Sequence, residues 1–146
     1  MSHVRQQIRE AAATAVTGLT TTGTRVYQNR QHALAESKLP CLLVNTDGEE
    51  IEGLLSNAPD TLDRNLELKI RAVAKVSANL DDALDTMAAE VETALGNTTL
   101  GNLLKKPLLL QGIEIEMEQG DKPVGIATLK FNANYMTVAN APGTAI

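Results

Sequence analysis

Four carboxylates crowd the six residues Asp47-Gly48-Glu49-Glu50-Ile51-Glu52. Oxygen donors at that density could gather around a hard divalent cation. The run lacks the alternating oxygen spacing of a calcium loop, so it reads instead as a solvated acidic turn. Two histidines, His3 and His32, are the side chains that titrate near neutral pH and could serve as general bases. Neither has an obvious partner, and His32 falls in a polar stretch that reads as surface loop. Cys41 lies inside the apolar run Leu39-Pro40-Cys41-Leu42-Leu43-Val44 and reads as a small buried hydrophobe rather than a nucleophile. A Gly-rich phosphate loop, a Gly-x-Ser-x-Gly elbow, His-Glu-x-x-His and Cys-x-x-Cys are all missing from the sequence. The expectation is a protein with no catalytic residues, no cofactor and no bound metal.

A second set of charges is ordered by strand alternation. Lys69, Arg71 and Lys75 fall on one parity of the segment 61–76, opposite Leu62, Leu66, Leu68, Ile70, Ala72, Ala74 and Val76, with Arg64 and Val73 as exceptions. Glu114, Glu116 and Glu118 alternate with Ile113, Ile115 and Met117, and Leu109 shares their parity. Lys130 alternates with Leu129 and Phe131 in a segment whose apolar set is Ala127, Leu129, Phe131, Ala133 and Tyr135. Period-two patterns of this kind mark strands with one buried and one wet face. The charges could simply be solvated, or they could meet another subunit or line a wet channel.

Composition narrows the partners. A net charge of −5 argues against a surface that neutralises phosphates. Phe131, Tyr27 and Tyr135 are the only aromatic residues, too few for a base-stacking platform. A single cysteine rules out an internal disulfide and fits a reducing compartment. No apolar run approaches the roughly 20 residues of a membrane helix, and no secretion signal is legible at the N-terminus. A soluble, intracellularly made protein is expected.

These residues must be positioned by a small set of elements. An amphipathic helix is predicted over 3–17, capped by Ser2, with Val4, Ile8, Ala12 or Ala11, Ala15 and Val16 inward. A short strand over 25–29, a polar loop over 30–38 and a buried strand over 39–44 follow. Asp47-Gly48 is a strong turn signal, so the chain is expected to reverse over 45–50, with a mobile connector over 53–60. The strand over 61–76 would extend roughly 50 Å, far beyond the usual length. A helix over 79–95 is capped by Asn79, carries Leu80, Leu84, Met87, Val91 and Leu95 inward, and stops at a left-handed Gly96. One more helical turn is expected over 98–105. Strands over 109–118 and 124–135 form a hairpin around 119–123. The fold class is α+β: a mainly antiparallel four- to five-stranded sheet with two helices packed on one face. Residues 1–138 make a single domain and 139–146 a flexible C-terminal tail.

Four stretches, taken in order and spacing, resemble the tail terminator family of long-tailed bacteriophages, the minor tail protein U-like group. They are VRQQIREAAATAVTGL, LPCLLVNTDGEEIEG, the TLDRNLELKIRAVAK…LDDALDTMAAEVETAL unit and VGIATLKFNANYMTV. The resemblance implies a homohexameric ring on the head-proximal end of the virion tail. Such a ring ends polymerisation of the major tail tube protein and offers a docking surface to a head completion or connector protein. DNA passes through its lumen without specific binding, no membrane is involved, and synthesis is in the host bacterial cytoplasm. The candidate subunit or lumen interface is then Asp47, Glu49, Glu50, Glu52, Lys69, Arg71, Lys75, Glu114, Glu116, Glu118 and Lys130, with Lys69 or Arg71 set against the acidic 47–52 loop of a neighbour. Two other readings are a head–tail connector or head-closure subunit, and a small cytosolic ligand-binding or enzymatic α+β domain.

Overall fold

The computed structural model describes residues 2–28, 39–54, 60–76, 78–118 and 124–146, with only the backbone of Leu54 and Glu118. His32, the 30–38 loop, the tip of the 53–60 connector and the 119–123 turn therefore lie outside the described residues, wholly or in part. The elements are α1 (Val4–Ala15), β1 (Val26–Tyr27), β2 (Cys41–Leu54), β3 (Thr61–Lys75), α2 (Leu80–Leu95), β4 (Leu109–Glu118), β5 (Val124–Val138) and β6 (Ala141–Ala145). They make an α+β fold around one mixed sheet of order β1-β2-β3-β5-β4, with β6 also paired to β5. All pairings are antiparallel except β1 with β2.

β3 and β5 form the spine, in unbroken register from Thr61↔Val138 to Lys75↔Val124. Their even alternation buries Leu66, Leu68, Ile70, Ala72 and Ala74 beside Ala127, Leu129, Phe131, Ala133 and Tyr135. Both helices cover that face. α1 presents Val4, Ile8, Ala12, Ala13 and Val16, and α2 presents Leu80, Leu84, Met87, Ala88, Val91 and Leu95. Each large aliphatic side chain so buried contributes roughly 1.5–3 kcal/mol. Close approach is enforced at Gly125, where an added Cβ would come within 2.8 Å of the Leu84 Cδ1.

Several expectations fail for identifiable physical reasons. The chain does not reverse at Asp47-Gly48: β2 runs straight through to Leu54, and the dipeptide forms a β-bulge between Thr46 and Glu49. A strong neighbour on one side holds the strand, so the flexible pair is absorbed as an extra residue. Residues 139–146 are not a loose tail. β6 pairs with β5, Ile146 N–H donates to the Met136 carbonyl, and Gln7 Nε2 donates to the Gly143 carbonyl. The 98–105 segment makes turns rather than helix, with Leu100, Gly101 and Asn102 all at positive φ. Its Leu100 and Leu104, with Leu108 just beyond, plug the core, while Lys105 N–H donates to the Asn134 carbonyl, filling the β5 edge between β4 and β6.

The caps also differ. Gly96 is extended at φ −64, and its value is space: a Cβ would lie 2.8 Å from the Glu92 carbonyl oxygen. Asn79 occupies the left-handed region without a side-chain cap bond, although Asp81 and Asp82 still complement the helix dipole. At α1 the cap is His3, not Ser2; its Nδ1 accepts the Arg5 N–H at 3.0 Å. Ala13 rather than Ala15 is buried.

Burial of His3, reinforced by Arg5 and Arg64 and opposed by Glu49, pushes its pKa below the ordinary 6.5. The unfolded chain then binds the proton more readily than the folded one. The neutral cap contributes in full above the unfolded value and is lost as pH falls from there through the lower folded value. Urea unfolding between about pH 7 and 5 is expected to show a stability loss that His3→Asn, which caps without titrating, makes shallower.

Candidate functional site

The bulge decides where the acidic cluster points. Before it, Leu42, Val44 and Thr46 pair onto the helix-covered face; after it, Glu49 pairs with Leu66 and Ile51 with Arg64 on that same face. One extra residue shifts the parity of everything that follows. Glu49 is thereby carried out of the exposed cluster and into the protein, where its side chain is 3% exposed. Waiting there is Arg64, the charged exception on the apolar parity of β3, itself 7% exposed.

The Arg64 guanidinium donates from Nη1 to Glu49 Oε1 at 2.8 Å and from Nε to Thr137 Oγ1 at 3.2 Å. Tyr135 donates its hydroxyl to Glu49 Oε2 at 2.7 Å, and Arg5 reaches Glu49 Oε1 at 3.0 Å from α1. The Arg64 Cζ also lies 5.8 Å from the centre of the Tyr135 ring. Burial, and then the bond to Glu49, push the Tyr135 hydroxyl well above its ordinary pKa. Glu49 thus joins β2, β3, β5 and α1 through a carboxylate that meets two cations and a phenol. Sequence reading passed over Arg64, Arg5 and Tyr135; a lone arginine on an apolar parity next to an acidic strand was the available signal.

The remaining candidates whose side chains are described occupy the opposite face, which carries no helix among the described residues. Lys69 and Lys130 stand directly across from each other in the β3–β5 register. Each is neutralised from the outer side: Lys69 by Asp47 at 2.5 Å, Lys130 by Glu114 at 2.6 Å. The result is a row, negative-positive-positive-negative, across β2, β3, β5 and β4. The Lys69–Asp47 pair is made within one chain, where a contact between neighbouring subunits was expected. The side-chain bond to Lys130 lowers the Glu114 pKa, and the same bond raises that of Lys130. Both groups are exposed, so the pair sets pattern more than stability.

Around this row, Glu50 pairs with Asn65 and Glu52 with Asp63, both on the same face. Asn134 donates to Asp63 Oδ1 at 2.7 Å and, with Asn132, to Asn65 Oδ1. Arg71 and Lys75 continue the basic line along β3, and Glu116 lies opposite Ile126 of β5. The backbone of Glu118 pairs with Val124. A second bulge, between Leu110 and Gly112, puts Leu109 on this polar side, against the expectation that it faces with Ile113. Between the two bulges lies a groove of about 430 Å³ lined by Gly48, Glu49, Glu50, Asn65, Glu67, Gln111 and Asn132. Cys41 is fully buried, and burial pushes its thiol up to about 11. A buried thiol held this high carries little of the thiolate that nucleophilic attack needs.

Charges held this way bind, orient and repel. Among the described residues, no three His, Cys, Asp or Glu side chains are grouped to hold a metal ion.

No family model matches the chain, and no curated protein matches it. Among solved structures it is similar to a chain of the virion of a native gene transfer agent particle, at 18% identity and a TM-score of 0.46, covering 92% of each chain.

Removing one partner of a buried ion pair strands the other. Glu49→Gln is expected to lower the unfolding free energy by about 3–5 kcal/mol. Tyr135→Phe, which removes one donor to a charged group, should cost about 1.5–3 kcal/mol. Urea melts that put both within error of the wild type would show that the network does not hold these elements together.

Proposed function

We propose that this chain is a structural virion protein, a tail terminator that closes the phage tail tube with a hexameric ring. One observation carries the geometric side of this reading. Among the described residues, helices cover the long β3–β5 spine on one face only, and its other face is a patterned charged wall. The resemblance of the four sequence stretches to the tail terminator group supplies the kind of assembly such a wall would serve.

In this reading the polar face lines the lumen. On its described strands Asp47, Glu50, Glu52, Asp63, Glu67, Glu114 and Glu116 outnumber Lys69, Arg71, Lys75 and Lys130. A net negative wall repels the phosphate backbone and lets DNA pass, whereas a basic one would hold it through counterion release. The lysines remain useful because Asp47 and Glu114 neutralise them and keep the wall from charging itself apart. The chain has no catalytic role in this assembly; Asp47, Glu49 and Glu114 hold cationic side chains.

Electron microscopy of the purified protein mixed with tail tubes tests the assignment. Rings seated on tube ends, hexameric by native mass spectrometry, are expected; a dodecamer would point to a connector subunit instead. A monomer that never binds tubes would overturn the reading. The lumen assignment has its own test. Glu50→Lys with Glu52→Lys is expected to leave rings intact and to make them retain DNA in a salt-dependent gel shift that wild-type rings do not show.

A further inference from the structure

β4 is the last strand on the path β1-β2-β3-β5-β4, and its outer edge is unpaired among the described residues. Every residue from Ile113 to Met117 is exposed. Ile113, Ile115 and Met117 pair with Leu129, Ala127 and Gly125, so they extend the face on which the helices pack. They are nevertheless 42%, 49% and 44% exposed, because α2 packs chiefly on β3 and β5 and covers this row only in part. An apolar edge strand with its N–H and C=O groups on offer is an association site, and its charges decide what it accepts.

Those charges are negative on both faces. On the polar face Glu114 already holds Lys130, and Glu116 lies opposite Ile126 rather than a cation. On the other face α2 turns Thr86, Glu90 and Thr93 toward Gly18–Thr20, on the α1 side. Its opposite flank, toward β4, therefore carries the exposed Asp81 and Asp85. A second β4 laid against this edge would set Glu114 and Glu116 against their own copies. β2 would bring Glu50 and Glu52 to the same face. Like charges opposite each other on neighbouring strands are destabilising, so the edge rejects the carboxylate-bearing strands of its own kind.

We infer that β4 takes up an extended, basic segment of a different protein as one more strand of the sheet. A helix laid on the apolar row would leave the N–H and C=O groups of the edge unanswered, whereas a strand answers them with main-chain hydrogen bonds. The pleat then fixes the chemistry of the segment. Its side chains beside Ile113, Ile115 and Met117 are apolar, and those between them, beside Glu114 and Glu116, are lysine or arginine. Water leaves three half-exposed apolar side chains, and the acidic flank of α2 favours further basic residues at the ends of the segment. A single subunit can make this pairing, so it does not depend on a ring.

The probe is a fluorescein-labelled peptide of alternating valine and lysine, titrated against the purified protein by anisotropy. One control alternates valine with glutamate; another carries the same valines and lysines in blocks, keeping the charge without the alternation. The alternating basic peptide is expected to bind, each control about tenfold more weakly. Hydrogen exchange at the amides from Ile113 to Met117 is expected to slow in the complex. Ile115→Asp is expected to abolish binding, and Glu116→Lys to weaken the basic peptide about tenfold while admitting the acidic one. Both positions are exposed, and circular dichroism would verify that both variants fold. Equal binding of the block peptide, no binding of the alternating one, or binding without slowed exchange in β4 would overturn the strand pairing. Self-association of the free protein that Ile115→Asp removes would make a second copy the occupant and overturn it as well.

Discussion

The buried Glu49–Arg64 pair is the constraint on which the rest of this structure depends. Two charges taken out of water together cost several kcal/mol each to desolvate, and geometry must repay that cost. Here the repayment comes from four elements at once. β2 supplies the carboxylate, β3 the guanidinium, β5 the Tyr135 hydroxyl and Thr137, and α1 the Arg5 cation. The Glu49 carboxylate has its full set of partners only when all four elements are in register. The pair therefore specifies which strands lie side by side as well as adding to stability.

That requirement explains the bulge. With regular alternation β2 would send Gly48 and Glu50 to the helix-covered face, and Glu49 would remain outside. The extra residue at Asp47-Gly48 exchanges those parities. Asp47 is left on the polar face, where it meets Lys69, and Glu49 is placed against Arg64. A single irregularity thus divides one acidic run between two jobs, one inside the fold and one on the charged wall. The second bulge, near Gln111, treats the outer strand on the other flank in the same way and leaves Leu109 on the polar side.

The uneven cover of the sheet follows from size. Two helices of ordinary length pack chiefly on β2, β3 and β5. The apolar row Ile113, Ile115 and Met117 is the part of the core face left without a lid. Water on those apolar side chains is unfavourable.

Periodicity made much of this legible in the chain. Alternation in 61–76 and 124–135 and the heptad-like stripe in 80–95 depend on which side chains prefer water, a local property, and they placed β3, β5, α2 and the α+β class. The fate of Asp47-Gly48 was not local. The same dipeptide makes a turn in a free chain and a bulge when β3 holds the strand on its flank, so only the tertiary structure could decide where Glu49 points. The same holds for the last residues, which look like a loose tail until β5 and α1 offer them hydrogen bonds. Lys69, Lys130 and Glu114 could be assigned to a wet face from sequence. That they form one neutralised row with Asp47 depended on strand order and register, which long-range pairing sets and sequence spacing does not.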